Sequence, residues 1–465
     1  MRRSLLVFVS LGLVFNARLD AASQQTEEDK ARITEEISAL RKELDALKAS
    51  YETRLSALES RLAALEEKAP AEEASLASDL EEELARLEEQ QARDRALLQE
   101  EIEKTRRAFA PIAFTPQITM FANAMGRADN KTVISPEGDP IDDRFVLRAG
   151  EFELRAAIDP FADGFLAIPL EAESPEGPLQ ADVEEGFVLL KRLPLIAESP
   201  WGLKLKIGKY RPEIGKNNLI HFHDLMWTTR PLPVATFLGT EGLGESAEAG
   251  FQAVGVNADF FVPSPSTETT LRMQLGFGSA GNLRLTEANE GENLVFYVHP
   301  SWYQRLTDSD AFELGGSYLR GANDPLGTLT SALGGVDFTY TWKPARRGLW
   351  RSFVAGGEFF YASLEQADLP SLTPLGYYFF GQYQPTRNLY VGLRYDFTEE
   401  LADEDVETRV WAGYLTYYTS EFLRFRFGAE HRISDFAEKD SLNTFFAEVN
   451  FVFGAHPPEP YWVHR

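Results

Sequence analysis

The 465-residue sequence contains no cysteine, and this absence excludes a disulfide scaffold, a thiolate zinc site and a thiol nucleophile. Long apolar runs are also lacking. Outside residues 4–15, no stretch approaches the roughly 20 residues that a membrane-spanning helix needs. Neither a Gly-x-Ser-x-Gly elbow, a His-Glu-x-x-His motif nor a phosphate-binding glycine loop occurs, so we predict no enzymatic activity and no cofactor. A net charge of −26 argues against nucleic-acid binding.

The N-terminus has the features of a secretory signal. Arg2 and Arg3 precede the apolar run of residues 4–15, and Ala21-Ala22-Ser23 offers small residues for cleavage. An uncleaved anchor is the alternative, but the apolar run is too short to span a bilayer. The sequence therefore predicts a signal peptide over residues 1–23 and an exported mature chain.

Residues 24–110 have the composition of a helical arm, rich in Glu, Ala, Leu, Arg and Lys. Apolar residues recur with heptad spacing, as in Ile33, Ile37, Leu40 and Leu44, and Pro70 interrupts the pattern. A narrow apolar stripe needs partner helices. We predict a periplasmic coiled coil with other copies of the chain. An antiparallel hairpin turning at Pro70 and a solvated charged tail remain as alternatives.

Beyond residue 111 the sequence changes to short runs in which apolar and polar residues alternate. Leu203-Lys204-Leu205-Lys206-Ile207 and Leu423-Arg424-Phe425-Arg426-Phe427 are examples, with aromatic residues on the apolar face. We count sixteen such strands. The predicted fold is all-β, a 16-stranded antiparallel transmembrane β-barrel over residues 111–454, preceded by the α-helical coiled-coil arm. A soluble all-β domain is the alternative, but it would need another layer to cover the aromatic faces.

The connections between these strands support the barrel. They are short after even-numbered strands and longer after odd-numbered strands, as expected when one rim carries tight turns and the other carries extracellular loops. With the N-terminus in the periplasm, the short turns lie on the periplasmic side, and residues 455–465 form a periplasmic tail. The longest connection, residues 212–244, is the third extracellular loop, and loops of this length are usually functional.

The segment around this loop resembles a known family. Gly208-Lys209-Tyr210-Arg211-Pro212, followed by Arg230 near the loop end, is similar to a pattern in the phosphate-selective porin O/P-type family. Members of that family often carry a coiled-coil N-terminal extension, and in sixteen-stranded porins the third loop folds into the barrel and narrows the pore. The resemblance implies an outer-membrane porin with residues 212–244 as its constriction.

Basic residues of the barrel are the predicted pore residues. A cationic lining favours anions. Alternatively, these residues pair across neighbouring strands with Glu151, Glu153, Glu358, Asp396 and Glu448, which would give a mixed field. The constriction candidates are Lys204, Lys206, Lys209, Arg211, Lys216, His221, His223 and Arg230. The wall candidates are Arg148, Arg155, Arg272, Arg394, Arg424 and Arg426.

Two histidines beside an acid, His221-Phe222-His223-Asp224, are too common by chance to predict a metal site, so we predict none. The function we predict is passive diffusion of small hydrophilic solutes or ions by a bacterial outer-membrane porin, in contact with lipid and lipopolysaccharide. A homotrimer is expected, and the arm offers a contact with the cell wall. The alternative is a structural tether or adhesin, in which the barrel is an anchor and the coiled coil carries the function.

Overall fold

The computed structural model describes residues 116–134, 140–141, 144–172, 179–193, 199–239, 250–264, 266–280, 283–289, 293–344, 350–435 and 440–454. The predicted signal peptide (1–23), arm (24–110) and tail (455–465) lie outside these residues. Within the described part, no helix is both long and apolar enough to cross a membrane.

Twenty β-strands account for most of the described residues. They are β1 (Gln117–Asp129), β2 (Val133–Ile134), β3 (Pro140–Ile141), β4 (Arg144–Ala157), β5 (Ala162–Ala172), β6 (Leu179–Ala181), β7 (Glu185–Leu190), β8 (Lys204–Tyr210), β9 (Ala253–Val262), β10 (Thr269–Ser279), β11 (Leu294–Arg305), β12 (Asp310–Ala322), β13 (Thr330–Trp342), β14 (Ser352–Gln366), β15 (Leu369–Leu372), β16 (Leu375–Thr386), β17 (Leu389–Glu399), β18 (Glu407–Ser420), β19 (Leu423–Ser434) and β20 (Asp440–Gly454). Within the described residues the helices are short: one α-helix, Leu232–Leu238, and 3-10 turns at Pro200–Gly202, Asn217–Leu219, Phe222–Asp224 and Arg284–Asn289.

Sixteen of these strands close into an antiparallel barrel. The short strands β2, β3, β6 and β15 lie in connections between them. β1 completes the ring, because Met120 is registered with Phe152 of β4 on one side and with Phe453 of β20 on the other. The predicted strand number and closed antiparallel architecture are thus confirmed.

Alternation along each strand explains why the barrel forms. On β18, the outward side chains Trp411, Leu415 and Tyr417 are 58%, 42% and 46% exposed, whereas Thr416 and Tyr414 point inward and are buried. The same period recurs on β11, β16 and β17. An outward apolar face and an inward face with polar groups are typical of membrane barrels.

The loop between β8 and β9 is longer than predicted, since β9 begins at Ala253 and not near residue 245. The side chain of Asn218 explains the late start. Its Oδ1 accepts a hydrogen bond from the Phe251 amide at 2.7 Å, and its Nδ2 donates to the Phe251 carbonyl at 3.0 Å. Both backbone groups of Phe251 are therefore bound by the loop and are not available to a neighbouring strand.

Gly208 is a position where the barrel depends on the absence of a side chain. Its φ is +137°, and a Cβ there would overlap the carbonyl oxygen of Gly186 on β7. We expect Gly208→Ala to lower the free energy of unfolding by about 1–3 kcal/mol, because both the backbone conformation and the close strand approach require glycine. A urea titration in detergent micelles measures this change.

Gly316→Ala is the matched control for that substitution. The nearest atom to a Cβ at Gly316 is the Gly335 carbonyl oxygen at 3.9 Å, and its φ is not positive. The control variant should unfold within about 0.5 kcal/mol of the parent protein. Equal urea midpoints for Gly208→Ala and Gly316→Ala would mean that the contact between β7 and β8 tolerates a side chain at position 208.

Candidate functional site

The third loop lies inside the barrel. Its large side chains are almost completely buried: Trp227 is 1% exposed, and Phe237 and Leu238 are 0% exposed. The Phe237 ring stacks on Phe360 of β14 with centroids 5.9 Å apart, and Trp227 meets Phe380 of β16 edge-on at 5.1 Å. Apolar packing between loop and inner wall therefore holds the loop in the lumen.

Local sequence chemistry shapes the loop. Gly215 adopts a φ of +61°, which favours glycine, and a Cβ there would overlap the Glu358 carboxylate. Pro233 in its first turn starts the helix Leu232–Leu238, which ends at Gly239. Between these points, the Arg230 guanidinium donates to the carbonyl oxygens of Asn217 at 2.6 Å and Ile220 at 2.7 Å, so it ties the end of the loop to its beginning.

Three wall arginines donate to consecutive parts of the loop backbone. Arg426 of β19 reaches the carbonyl of Leu225 at 2.6 Å. Arg148 of β4 reaches the carbonyl of Thr228 at 2.7 Å, and Arg394 of β17 reaches that of Thr229 at 2.8 Å. Since these strands lie at different positions around the ring, the loop is anchored across the lumen and not along one edge.

Wall carboxylates accept hydrogen bonds from backbone N–H groups of the loop, just as the wall arginines donate to its carbonyl groups. Glu358 of β14 accepts from the backbone N–H groups of Lys216 at 2.9 Å and Asn217 at 2.8 Å. Asp396 of β17 accepts from the Leu232 amide at 3.0 Å. Each charged hydrogen bond of this kind is worth about 1.5–3 kcal/mol, so the docked loop is held by several strong contacts.

The two loop histidines lie close to three carboxylates. One belongs to β4, one to the first residue of β7, and one to the residue just before β7. His221 Nε2 lies 2.8 Å from Glu185, and its Nδ1 lies 3.2 Å from Glu151 and 3.5 Å from Glu184. His223 Nδ1 lies 3.2 Å from Glu151, and its ring stacks on Phe121 with centroids 3.5 Å apart. Burial alone would lower the pKa of His221, but Glu151 and Glu184 outweigh it and raise that pKa well above the usual value.

Most of the predicted basic residues of the pore are paired with carboxylates. Arg394 binds Asp396 at 2.8 Å, and Arg424 and Arg426 share Glu448 at 2.8 and 3.2 Å. The other pairs are Arg155 with Glu153, Arg272 with Asp259 and Glu213, Arg211 with Glu184, and Lys216 with Glu313. These ion pairs place positive and negative charges side by side along the lumen. This is the mixed electrostatic field that was given above as the alternative to a cationic lining.

Lys204 and Lys206 differ from this pattern. Within the described ranges, neither has a carboxylate within the 4.0 Å of an ion pair, and the Lys206 ammonium lies 4.4 Å from the Phe187 ring centroid. Lys209 lies on the other face of β8, where its Nζ approaches Asp182 at 3.9 Å and bonds the Val183 carbonyl. Of the three strand lysines, two thus face the lumen and one faces outward.

Sequence reasoning missed Glu184 and Glu185, which contact Arg211 and His221. The available signal was the predicted pairing of the fourth and fifth strands, which places Glu185 beside the start of the loop. Sequence reasoning placed both Arg148 and Arg155 on the wall, although strict alternation would put residues seven apart on opposite faces. A shift in the β1–β4 register between Asn123 and Ala124 leaves Arg148 as an extra residue and turns it inward.

Comparison with known proteins gives limited information. No protein-family model matches the chain. An uncharacterized protein of Aquifex aeolicus (strain VF5) is 24% identical over 368 residues, which cover 68% of this chain and 70% of that protein.

Among solved structures, the anion-selective porin from Comamonas acidovorans is similar with a TM-score of 0.49 at 10% identity, over 73% of this chain and 100% of that one. OprB of Pseudomonas putida gives 0.47 at 9% identity over 75% and 96%, and the outer membrane channel DcaP of Acinetobacter baumannii gives 0.46 at 9% over 73% and 97%. Similarity this distant leaves the function of the chain to be argued from its own residues.

Proposed function

We propose that this protein is a bacterial outer-membrane porin through which small hydrophilic solutes or ions diffuse, with the third loop as its constriction. The observation that carries the proposal is the position of that loop. It lies inside a closed barrel, and its backbone forms hydrogen bonds with charged side chains of the inner wall, among them Arg148 and Glu358. A loop held across a polar lumen reduces the free cross-section while leaving a path between charged groups.

The outer surface supports insertion in a bilayer. Phe145, Leu393 and Phe445 face outward and are 86%, 69% and 61% exposed. Large aromatic and aliphatic side chains spread around the ring would be costly to leave in water, at roughly 25 cal/mol for each Å² of apolar surface. In contact with outer-membrane lipid and lipopolysaccharide, the same belt stabilises the barrel.

A modest anion preference follows from the lumen charges. Five wall arginines are paired with neighbouring carboxylates, whereas Lys204 and Lys206 on β8 have none within ion-pair distance among the described residues; the paired arginines are Arg155, Arg272, Arg394, Arg424 and Arg426. Because a few unpaired cations attract anions without binding them tightly, this arrangement supports diffusion better than a saturable site for phosphate.

The test is single-channel conductance of the purified protein in planar bilayers, with the reversal potential measured under a salt gradient. Openings in groups of three, with a potential that favours chloride, would support a homotrimeric porin. A folded, heat-modifiable barrel without any conductance would refute the porin. Conductance that saturates with phosphate would instead identify a dedicated phosphate channel.

A structural tether or adhesin is the second candidate, and the apolar packing between loop and wall favours it. Trp227 and Phe237 fill space that an open channel would leave to water. The same bilayer experiment on a variant lacking the loop segment 217–238 separates the two candidates. A parent that conducts less than the deletion variant is a constricted porin, and a silent parent with a conducting deletion variant is a plugged anchor.

The arm at residues 24–110 is proposed to be periplasmic, where it trimerises the protein or contacts the cell wall. The proposal is motivated by the heptad spacing of its apolar residues. Deleting residues 24–107 should change the oligomeric state or the amount of protein that sediments with the cell wall. No change in either quantity would contradict this role.

A further inference from the structure

The cluster around His221 contains two buried polar atoms that face each other without a hydrogen bond. Glu151 Oε1 and His221 Nδ1 lie 3.2 Å apart, and neither has a hydrogen-bond partner among the described residues. The Glu151 side chain is 0% exposed and that of His221 is 11% exposed. An unpaired buried atom of this kind costs about 1–3 kcal/mol, so two of them at one place call for an explanation.

The separations around His221 suit a shared ligand atom. Nδ1 of His221 lies 3.2 Å from Glu151 and 3.5 Å from Glu184. In a tetrahedral zinc site with bonds of about 2.0–2.1 Å, neighbouring ligand atoms lie about 3.3 Å apart. His223 presents its Nδ1 to the same carboxylate at 3.2 Å. One nitrogen or oxygen atom from each of Glu151, His221 and His223 lies within 4.8 Å of the others.

The opposite ring nitrogen of His221 is placed as it is in known metal sites. When a histidine binds a metal through one nitrogen, the other usually donates to a carboxylate or carbonyl that fixes the ring. His221 directs Nε2 at Glu185 Oε2, 2.8 Å away, so its Nδ1 is left for the centre of the cluster. His223 Nδ1 bonds Glu151 Oε2 at 3.2 Å, so both histidines present Nδ1 to the same carboxylate.

We propose that Glu151, His221 and His223 form a binding site for a divalent transition-metal ion of the zinc type, which fastens the third loop to the wall of the barrel. Two imidazole nitrogens and one carboxylate suit Zn²⁺, whereas Ca²⁺ and Mg²⁺ prefer an all-oxygen environment. Glu151 belongs to β4, and both histidines belong to the loop. The ion therefore bridges elements that are otherwise joined by hydrogen bonds.

The test is isothermal titration of the full-length protein, stripped with EDTA and held in detergent, with ZnCl₂. We expect one ion for each chain, tight binding that excess Ca²⁺ does not displace, and a higher temperature for loss of the heat-modifiable band when Zn²⁺ is present. His221→Gln and Glu151→Gln should each weaken binding at least about tenfold.

His431→Gln is the matched control, because the His431 ring lies on β19 and bonds Asn443 at 2.7 Å, away from the cluster. It should bind Zn²⁺ as the parent protein does. Equal binding by His221→Gln and the parent, or displacement of Zn²⁺ by an equal concentration of Ca²⁺, would overturn the proposal. If a ligand variant fails to fold, the stoichiometry and the Ca²⁺ competition of the parent decide. Channel conductance is not a readout here, so the porin proposal can fail independently.

Discussion

Replacing Arg394 with leucine is expected to lower the free energy of unfolding by about 3–5 kcal/mol. Arg394 is 3% exposed and Asp396 is 0% exposed, so the substitution leaves a carboxylate buried without its counter-charge. It also removes the hydrogen bonds to the Thr229 carbonyl and hydroxyl, at 2.8 and 3.0 Å. Urea unfolding in micelles, followed by the shift of the heat-modifiable band, measures the change.

Arg409→Leu is the matched control on the neighbouring strand. Arg409 also pairs with a carboxylate two residues away, Glu407, but both side chains are about one-third exposed. An exposed pair contributes about 0–1 kcal/mol, so the control should unfold close to the parent. The double variant Arg394→Leu/Asp396→Leu should recover part of the loss, because the Asp396 carboxylate is then no longer buried without its counter-charge. If Arg394→Leu and Arg409→Leu lowered the free energy of unfolding equally, this would show that water solvates Asp396 in the lumen.

Reversing the charge of the two lumen lysines, Lys204 and Lys206, should shift the ion preference of the proposed channel from anions towards cations. At about 8 Å from the path and about 0.1 M salt, one wall charge changes the energy of a monovalent ion by about 0.2 kcal/mol. Lys204→Glu/Lys206→Glu changes four units of charge, with opposite effects on anions and cations. We expect the ratio of chloride to potassium permeability to fall on the order of tenfold, measured from reversal potentials.

Lys209→Glu provides the comparison for this charge effect. It carries two units of charge change, half that of the double variant, on the same strand, but the Lys209 side chain lies on the outward face beside Asp182. Its permeability ratio should stay within about twofold of the parent, because low-dielectric wall and screening separate it from the lumen. A Lys209→Glu shift as large as that of the double variant would mean that net charge, and not lumen position, sets the preference.

The barrel could be predicted from the sequence because the patterns that specify it lie within a few neighbouring residues. Alternation and turn residues are read within a few positions, and the count of sixteen strands follows from them. Strand parity would also have separated Lys209 from Lys204 and Lys206, since an odd spacing along a strand reverses the face. The start of β9 could not be predicted, because it depends on the side chain of Asn218 more than thirty residues earlier.

The contacts of the site could not be predicted from the sequence for a similar reason. His221 and His223 are two of the three proposed metal ligands and alone do not indicate a site. The third ligand, Glu151, is brought beside the loop only by the closed barrel. Arg148 was predicted on the wall, but the irregular strand pairing that turns it inward has no local sequence pattern.

The anchoring of the third loop has a consequence for the order of folding. The loop carbonyl bound by Arg426 is 201 residues earlier in the chain, and the one bound by Arg394 is 165 residues earlier. The loop is therefore translated well before its partners, and its contacts carry a loop-closure cost until those strands have paired. The hydrogen bonds that fasten the loop to β17 and β19 thus form only after both strands have been synthesised and have paired, late in the folding of the barrel.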